Sequence, residues 1–245
     1  MMKILISQQV PSNLASFETL QTKYGAELEF HPFFKMEPLS SKEFRAERIN
    51  LPDYTAVVFS SRLAIDAYFK LCEEMRFKVP ETMKYFCSTE AVAMYLQKHI
   101  VYRKRKIFYG SGSPESIIEL VTAKHKGEKF LITASVGSNS EPITRLFEAA
   151  GLDFTVGDLV KAVSQDLKSI DLHSFDLMVM FNPFDVVSLK ENYPDFEQGD
   201  IKIVSFGKSV VKAIEDAGMQ INVKAPTPEA PSVGKAIELY LQNNA

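Results

Sequence analysis

The chain has 245 residues, 46% of them hydrophobic and 24% charged, which is apolar mass for one large domain or two ordinary ones and excludes a disordered chain. Its net charge of −3 argues against a nucleic-acid binder held by its overall field, and no apolar run approaches the roughly 20 residues needed to span a bilayer. Two cysteines, Cys72 and Cys87, read as small core residues of a reducing compartment rather than as a disulfide.

From the amino terminus the chain alternates strands and helices. Met1-Met2-Lys3-Ile4-Leu5-Ile6-Ser7 enters a strand at 3–7 with no signal-peptide pattern, which points to the cytoplasm. A helix over 11–24 stopped by Gly25, and a strand over 27–31, follow. The stretch 31–38 is extended and bounded by Pro32 and Pro38, as a linker would be, and a short polar helix covers 40–48.

Thr55 to Phe59 is an apolar, β-branched run suited to a strand buried on both faces. The period then changes within two or three residues, because Leu63, Ala64, Ala67, Tyr68 and Leu71 follow helical spacing. Further strands at 84–87, 106–109, 129–133 and 153–156 alternate with helices at 89–98, 114–123 and 141–150. Residues 157–165 are extended and weakly patterned, a second linker candidate. Strands at 175–181, 201–206 and 220–223 alternate with helices at 183–190, 208–217 and 232–241. Repeated βα units with short loops imply parallel sheets covered on both faces, and about ten strands are too many for one doubly wound sheet of usual size. The expectation is two doubly wound parallel-sheet domains.

Several strand-to-helix turns carry small polar residues where a helix leaves its first N–H groups free. Ser60-Ser61-Arg62, Ser88-Thr89, Gly110-Ser111-Gly112-Ser113 and Gly207-Lys208-Ser209 are the clearest. Each reads either as a plain cap or as an anion cradle, and only the repetition favours the cradle. The third glycine of the dinucleotide fingerprint and the Walker lysine are both missing. His31, His99, His125 and His173 lack metal-ligand spacing, so no metal is expected. The basic residues of 98–106 read as a solvated helix end and strand entry, with an anion- or RNA-contacting patch as the other account.

Val57-Val58-Phe59-Ser60-Ser61-Arg62-Leu63, then Ser205-Phe206-Gly207-Lys208-Ser209-Val210, then Ala225-Pro226-Thr227-Pro228-Glu229-Ala230-Pro231 resemble, in that order along the chain, the uroporphyrinogen-III synthase family. The resemblance implies two flavodoxin-like α/β domains joined by a two-stranded linker. Residues 1–33 plus 163–245 would form one domain, 38–156 the inserted one, and 34–37 and 157–162 the linkers. It implies a cofactor-free enzyme, a monomer binding neither nucleic acid nor membrane. Its partner would be a linear tetrapyrrole, hydroxymethylbilane, cyclised in haem or cobalamin biosynthesis with the last pyrrole inverted. The substrate's carboxylates would be held in an interdomain cleft by Ser7, Ser60, Ser61, Arg62, Ser88, Ser111, Asn182, Gly207 and Ser209. Two departures from the family pattern point to weakened activity. Val160 falls where relatives carry a tyrosine, on what reads as an open linker, and Asp185 in the 181–185 turn would repel a bound carboxylate. A non-catalytic relative binding a tetrapyrrole or other polycarboxylate, and an unrelated two-domain sensor, are the other readings.

Overall fold

The structure, a computed structural model, describes residues 2–121 and 123–244. The chain opens with β1 (Lys3–Ile6), α1 (Ala15–Tyr24), β2 (Glu27–Phe30), β3 (Phe34–Pro38) and α2 (Ser41–Phe44). It continues with β4 (Ala56–Phe59), α3 (Arg62–Glu74), β5 (Lys84–Cys87), α4 (Glu90–Tyr95) and β6 (Ile107–Tyr109). Then come α5 (Pro114–Leu120), β7 (Lys129–Ser135), α6 (Glu141–Ala149), β8 (Asp153–Ser164) and β9 (Leu177–Met180). The last elements are α7 (Pro183–Asn192), β10 (Lys202–Phe206), α8 (Lys208–Asp216), β11 (Ile221–Ala225) and α9 (Val233–Asn244). No described helix is long and apolar enough to cross a membrane.

Two compact units result, Met1–Lys35 with Val163–Ala245, and Met36–Ala162. The first holds a five-stranded sheet in the order β11-β10-β9-β1-β2, every pairing parallel. Counted along its own strands, this is the 2-1-3-4-5 order of doubly wound folds. Its two faces are covered by separate clusters. Leu5, Met178, Met180 and Ile203 pack with Val186, Leu189, Val210 and Ile214, while Ile4, Ile6, Leu177 and Val204 pack with Phe17, Leu20, Val233 and Ile237. The side chains of β1 therefore alternate between two cores, as a fully covered parallel strand requires.

The second unit holds a six-stranded sheet in the order β3-β8-β7-β4-β5-β6. Its five strands other than β3, counted in chain order, run 3-2-1-4-5, so the order reverses between β4 and β7. Along β4, Val57 and Phe59 face α3 and α4, while Ala56 and Val58 face the opposite core with Ile117 and Phe147. At the edge, β3 runs antiparallel to β8: the Leu39 amide donates to the Leu159 carbonyl, and the Gln165 amide to the Phe33 carbonyl.

The strand expected at 153–156 and the extended segment after it are one strand. The ladder with β7 passes through the pair Thr133 and Gly157 and shifts register before Ser135 pairs with Val160. Gly157 fits there because an added Cβ would lie 2.9 Å from Ile49 and 3.1 Å from Leu131. Val160 is consequently not on an open linker. It is 2% exposed, in the core shared by Phe44, Leu131 and Leu159. Both cysteines are free and buried, and burial pushes each thiol up to about 12.

Candidate functional site

In an open α/β sheet, ligands settle beyond the carboxyl ends of the strands where the strand order reverses. In the six-stranded unit that place lies between β4 and β7, and a pocket of about 310 Å³ opens there. Val58, Ile117, Ile132 and Ile143 give it an apolar floor. Ser60, Ser88, Ser113, Thr133, Ser135, Ser138, Asn139 and Ser140 give it a polar wall. No charged side chain lines it among the described residues.

The wall is built by hydrogen bonds that tie neighbouring strand ends together. The Ser88 hydroxyl donates to the Ser60 carbonyl at 3.1 Å, and the Gly112 amide donates to the Ser88 carbonyl at 2.8 Å. The Thr133 hydroxyl donates to the Val58 carbonyl at 2.8 Å, fixing β7 against β4. Gly112 has φ +107° and Gly137 φ +75°, backbone conformations that side-chain-bearing residues rarely adopt, so both turns need glycine.

The residues expected from the sequence separate here. Ser60 and Ser88 come together in the pocket. Ser61 is the cap of α3, accepting the Ala64 amide at 3.1 Å. Ser111 is exposed outside the lining, its amide donating to the Ser116 hydroxyl at 3.0 Å. Arg62, the first residue of α3, is exposed and makes no ion pair among the described residues; its guanidinium carbon lies 5.6 Å from the centre of the Tyr95 ring.

Thr133, Ser138, Asn139 and Ser140 were not singled out from the sequence. Their signal was nonetheless present, since Ser135-Val136-Gly137-Ser138-Asn139-Ser140 is a polar, glycine-bearing loop between a strand and a helix with proline in its first turn.

The corresponding reversal in the five-stranded unit lies between β1 and β9, and there the protein supplies its own occupant. Asp185, 0% exposed, turns inward rather than outward, so it does not present a charge to a ligand. Its Oδ2 accepts from the Ser7 hydroxyl at 2.8 Å, the Phe181 amide at 2.8 Å and the Asn182 amide at 3.0 Å. Its Oδ1 is buried with no partner. Burial pushes the carboxyl above its ordinary value, against the pull of those three donors. Ser7, 5% exposed, is thereby withdrawn from the surface and its proton committed to Asp185. The exposed Asn182 side chain caps α7, accepting the Phe184 amide at 2.9 Å. At β10, Gly207 has φ +130° and donates its amide to the Ala225 carbonyl at 2.7 Å, while Ser209 is exposed in the first turn of α8, an end without a side-chain cap.

The basic run of 98–106 is partly paired, Lys98 with Asp66 and Arg103 with Glu81. No group of three or more His, Cys, Asp or Glu side chains placed to hold a metal ion occurs among the described residues.

Comparison with known proteins gives three results. The profile described as Uroporphyrinogen-III synthase HemD matches residues 15–234. No curated protein sequence matches significantly. Among solved structures, the uroporphyrinogen-III synthetase of Helicobacter pylori is similar over 99% of this chain and 100% of its own, with 16% identity and a TM-score of 0.56. A mutant uroporphyrinogen III synthase from Thermus thermophilus is similar over 99% and 98%, with 12% identity and a TM-score of 0.49.

Proposed function

The chain belongs to the uroporphyrinogen-III synthase family, whose place is in tetrapyrrole biosynthesis, and we propose that it closes hydroxymethylbilane into uroporphyrinogen III with inversion of the last pyrrole. The observation that carries this reading is the family match itself, which runs over residues 15–234 and so takes in strands of both sheets.

The pocket chemistry supports it. Departure of hydroxide from the hydroxymethyl group leaves a reactive pyrrole, so the protein mainly has to fold the chain of rings and keep water away. An apolar floor of Val58, Ile117, Ile132 and Ile143 suits a pyrrole face, and the hydroxyls of Ser60 and Ser138 suit its carboxylate arms. The volume is at the lower end for a ligand site, enough for part of a linear tetrapyrrole rather than all of it. In this reading Ser60 and Ser88 shape the wall and the exposed Arg62 takes a carboxylate. Val160, buried and without a proton to give, lends the departing hydroxide no help.

The test is ring closure of freshly prepared hydroxymethylbilane, with the two isomers separated after oxidation. Formation of the asymmetric isomer by the wild type is the expected result. Only the symmetric isomer, at the spontaneous rate, would sink the proposal.

A further inference from the structure

One cluster on the surface of the six-stranded unit is used neither by the pocket nor by the core. Arg62 and Asp66 of α3, Tyr95 at the end of α4, and Lys98 and His99 just after it converge. Asp66 is the hub. It accepts from the Tyr95 hydroxyl at 2.7 Å and the Lys98 ammonium at 3.1 Å, and pairs with His99 Nε2 at 2.7 Å. Lys98 also donates to the Tyr95 oxygen at 2.9 Å, and the His99 ring stacks on Phe69 at 4.6 Å with 5° between planes. Burial pushes the Asp66 carboxyl up, but the Tyr95, His99 and Lys98 donors together outweigh it and hold the group below its ordinary value. The negative charge of Asp66 is therefore answered within the cluster, and the Tyr95 ring is fixed in place.

Arg62 is treated differently. Its guanidinium lies over the Tyr95 ring at 5.6 Å, and none of its five N–H donors is engaged by a hydrogen bond among the described residues. An arginine held by its face and free at its edge has already given up much of its side-chain freedom while keeping the fork that grips a carboxylate.

We infer that Tyr95, locked by Asp66, is a positioning residue that presets Arg62 for a carboxylate of the substrate; the inference rests on the function proposed above. Tyr95 itself does not touch the ligand.

The test uses the full chain and four variants: Arg62→Ala, Tyr95→Leu, Tyr95→Phe and the Arg62→Ala/Tyr95→Leu pair. Each is read as KM and kcat for hydroxymethylbilane, as Kd for uroporphyrin III by fluorescence, and as melting temperature. Arg62→Ala should raise KM and Kd about tenfold. Tyr95→Leu should raise both about two- to fivefold with kcat unchanged, and Tyr95→Phe, which keeps the ring, should return them to within about twofold of wild type. In the pair, Tyr95→Leu should add nothing to Arg62→Ala. The brace is overturned if Tyr95→Leu changes neither constant, or changes them equally with and without Arg62. A wild type that makes no asymmetric isomer, yet shows the expected pattern in Kd, would sink the proposed function and leave the brace standing.

Discussion

Asp185 has one busy oxygen and one idle one. Three donors converge on Oδ2 while Oδ1 is buried and unpartnered, and burial holds the carboxyl above its ordinary value. A group whose folded pKa is raised favours the folded state most when it is protonated, below the unfolded value near 3.8. That contribution is lost as pH rises through the folded pKa. Asp185→Asn keeps an oxygen for the three donors but cannot ionise. The stability of wild type relative to Asp185→Asn should therefore fall as pH is raised from 4 towards neutrality, measured as the difference in melting temperature. A constant difference would mean that Asp185 is equally ionised in both states. Val160 gives a second residue-scale expectation. At 2% exposure it has no room for a ring, so Val160→Tyr should cost about 1–3 kcal/mol by overpacking, measured by denaturant unfolding. It should bring no gain in asymmetric ring closure; a faster variant of unchanged stability would show that the position opens.

At the scale of elements, two helix junctions carry most of the testable content. Ser61 caps α3, and Ser61→Ala should cost about 1 kcal/mol of stability. Because the Ser61 side chain is spent on capping the helix, KM should stay within about twofold of wild type. A large KM change at unchanged stability would return Ser61 to the binding set. Helices α1 and α9 meet at Gly234, where an added Cβ would lie 1.7 Å from the Ser16 carbonyl oxygen. Backbone cannot yield as a flexible side chain does, so Gly234→Ala should cost at least about 1–3 kcal/mol in thermal or denaturant unfolding. Junctions of this kind also explain what could be read in advance. The change from β-branched run to helical spacing at 55–63 shows in any window of sequence, and β5 was read with the bounds it has. The pattern of β8 reads as two segments because Gly157 interrupts it, although that glycine only relieves crowding from Ile49 and Leu131.

At the scale of the molecule, the two sheets treat the same topological feature in opposite ways. The six-stranded sheet leaves the crevice beyond β4 and β7 open and lines it with hydroxyls. The five-stranded sheet fills the crevice beyond β1 and β9 with Asp185. No local pattern announces this, because Ser7 and Asp185 are 178 residues apart and meet only through the placing of β1 next to β9. Ser7 therefore looked available from its turn, and Asp185 looked outward-facing. The loop 135–140 is hard to read for the converse reason, its polar residues being spread over a longer connection than the tight turns elsewhere.

The open pocket has one more property, visible in what its wall is made of. Serine, threonine and asparagine side chains are poor nucleophiles at neutral pH, while both cysteines are buried as thiols with values pushed to about 12. An electrophilic methylene released in this pocket would find the pyrrole of its own chain before it found the protein. In the reading proposed above, self-inactivation is thus avoided by composition. Replacing one wall hydroxyl by a thiol should remove that immunity. Ser138→Cys would present sulfur to the carbon that has just lost hydroxide. A thioether would form there, with the thiol proton passing to water, so activity should decay with turnover and intact-mass spectrometry should show a tetrapyrrole adduct on Cys. An active Ser138→Cys variant that remains unmodified after many turnovers would place the reacting carbon elsewhere.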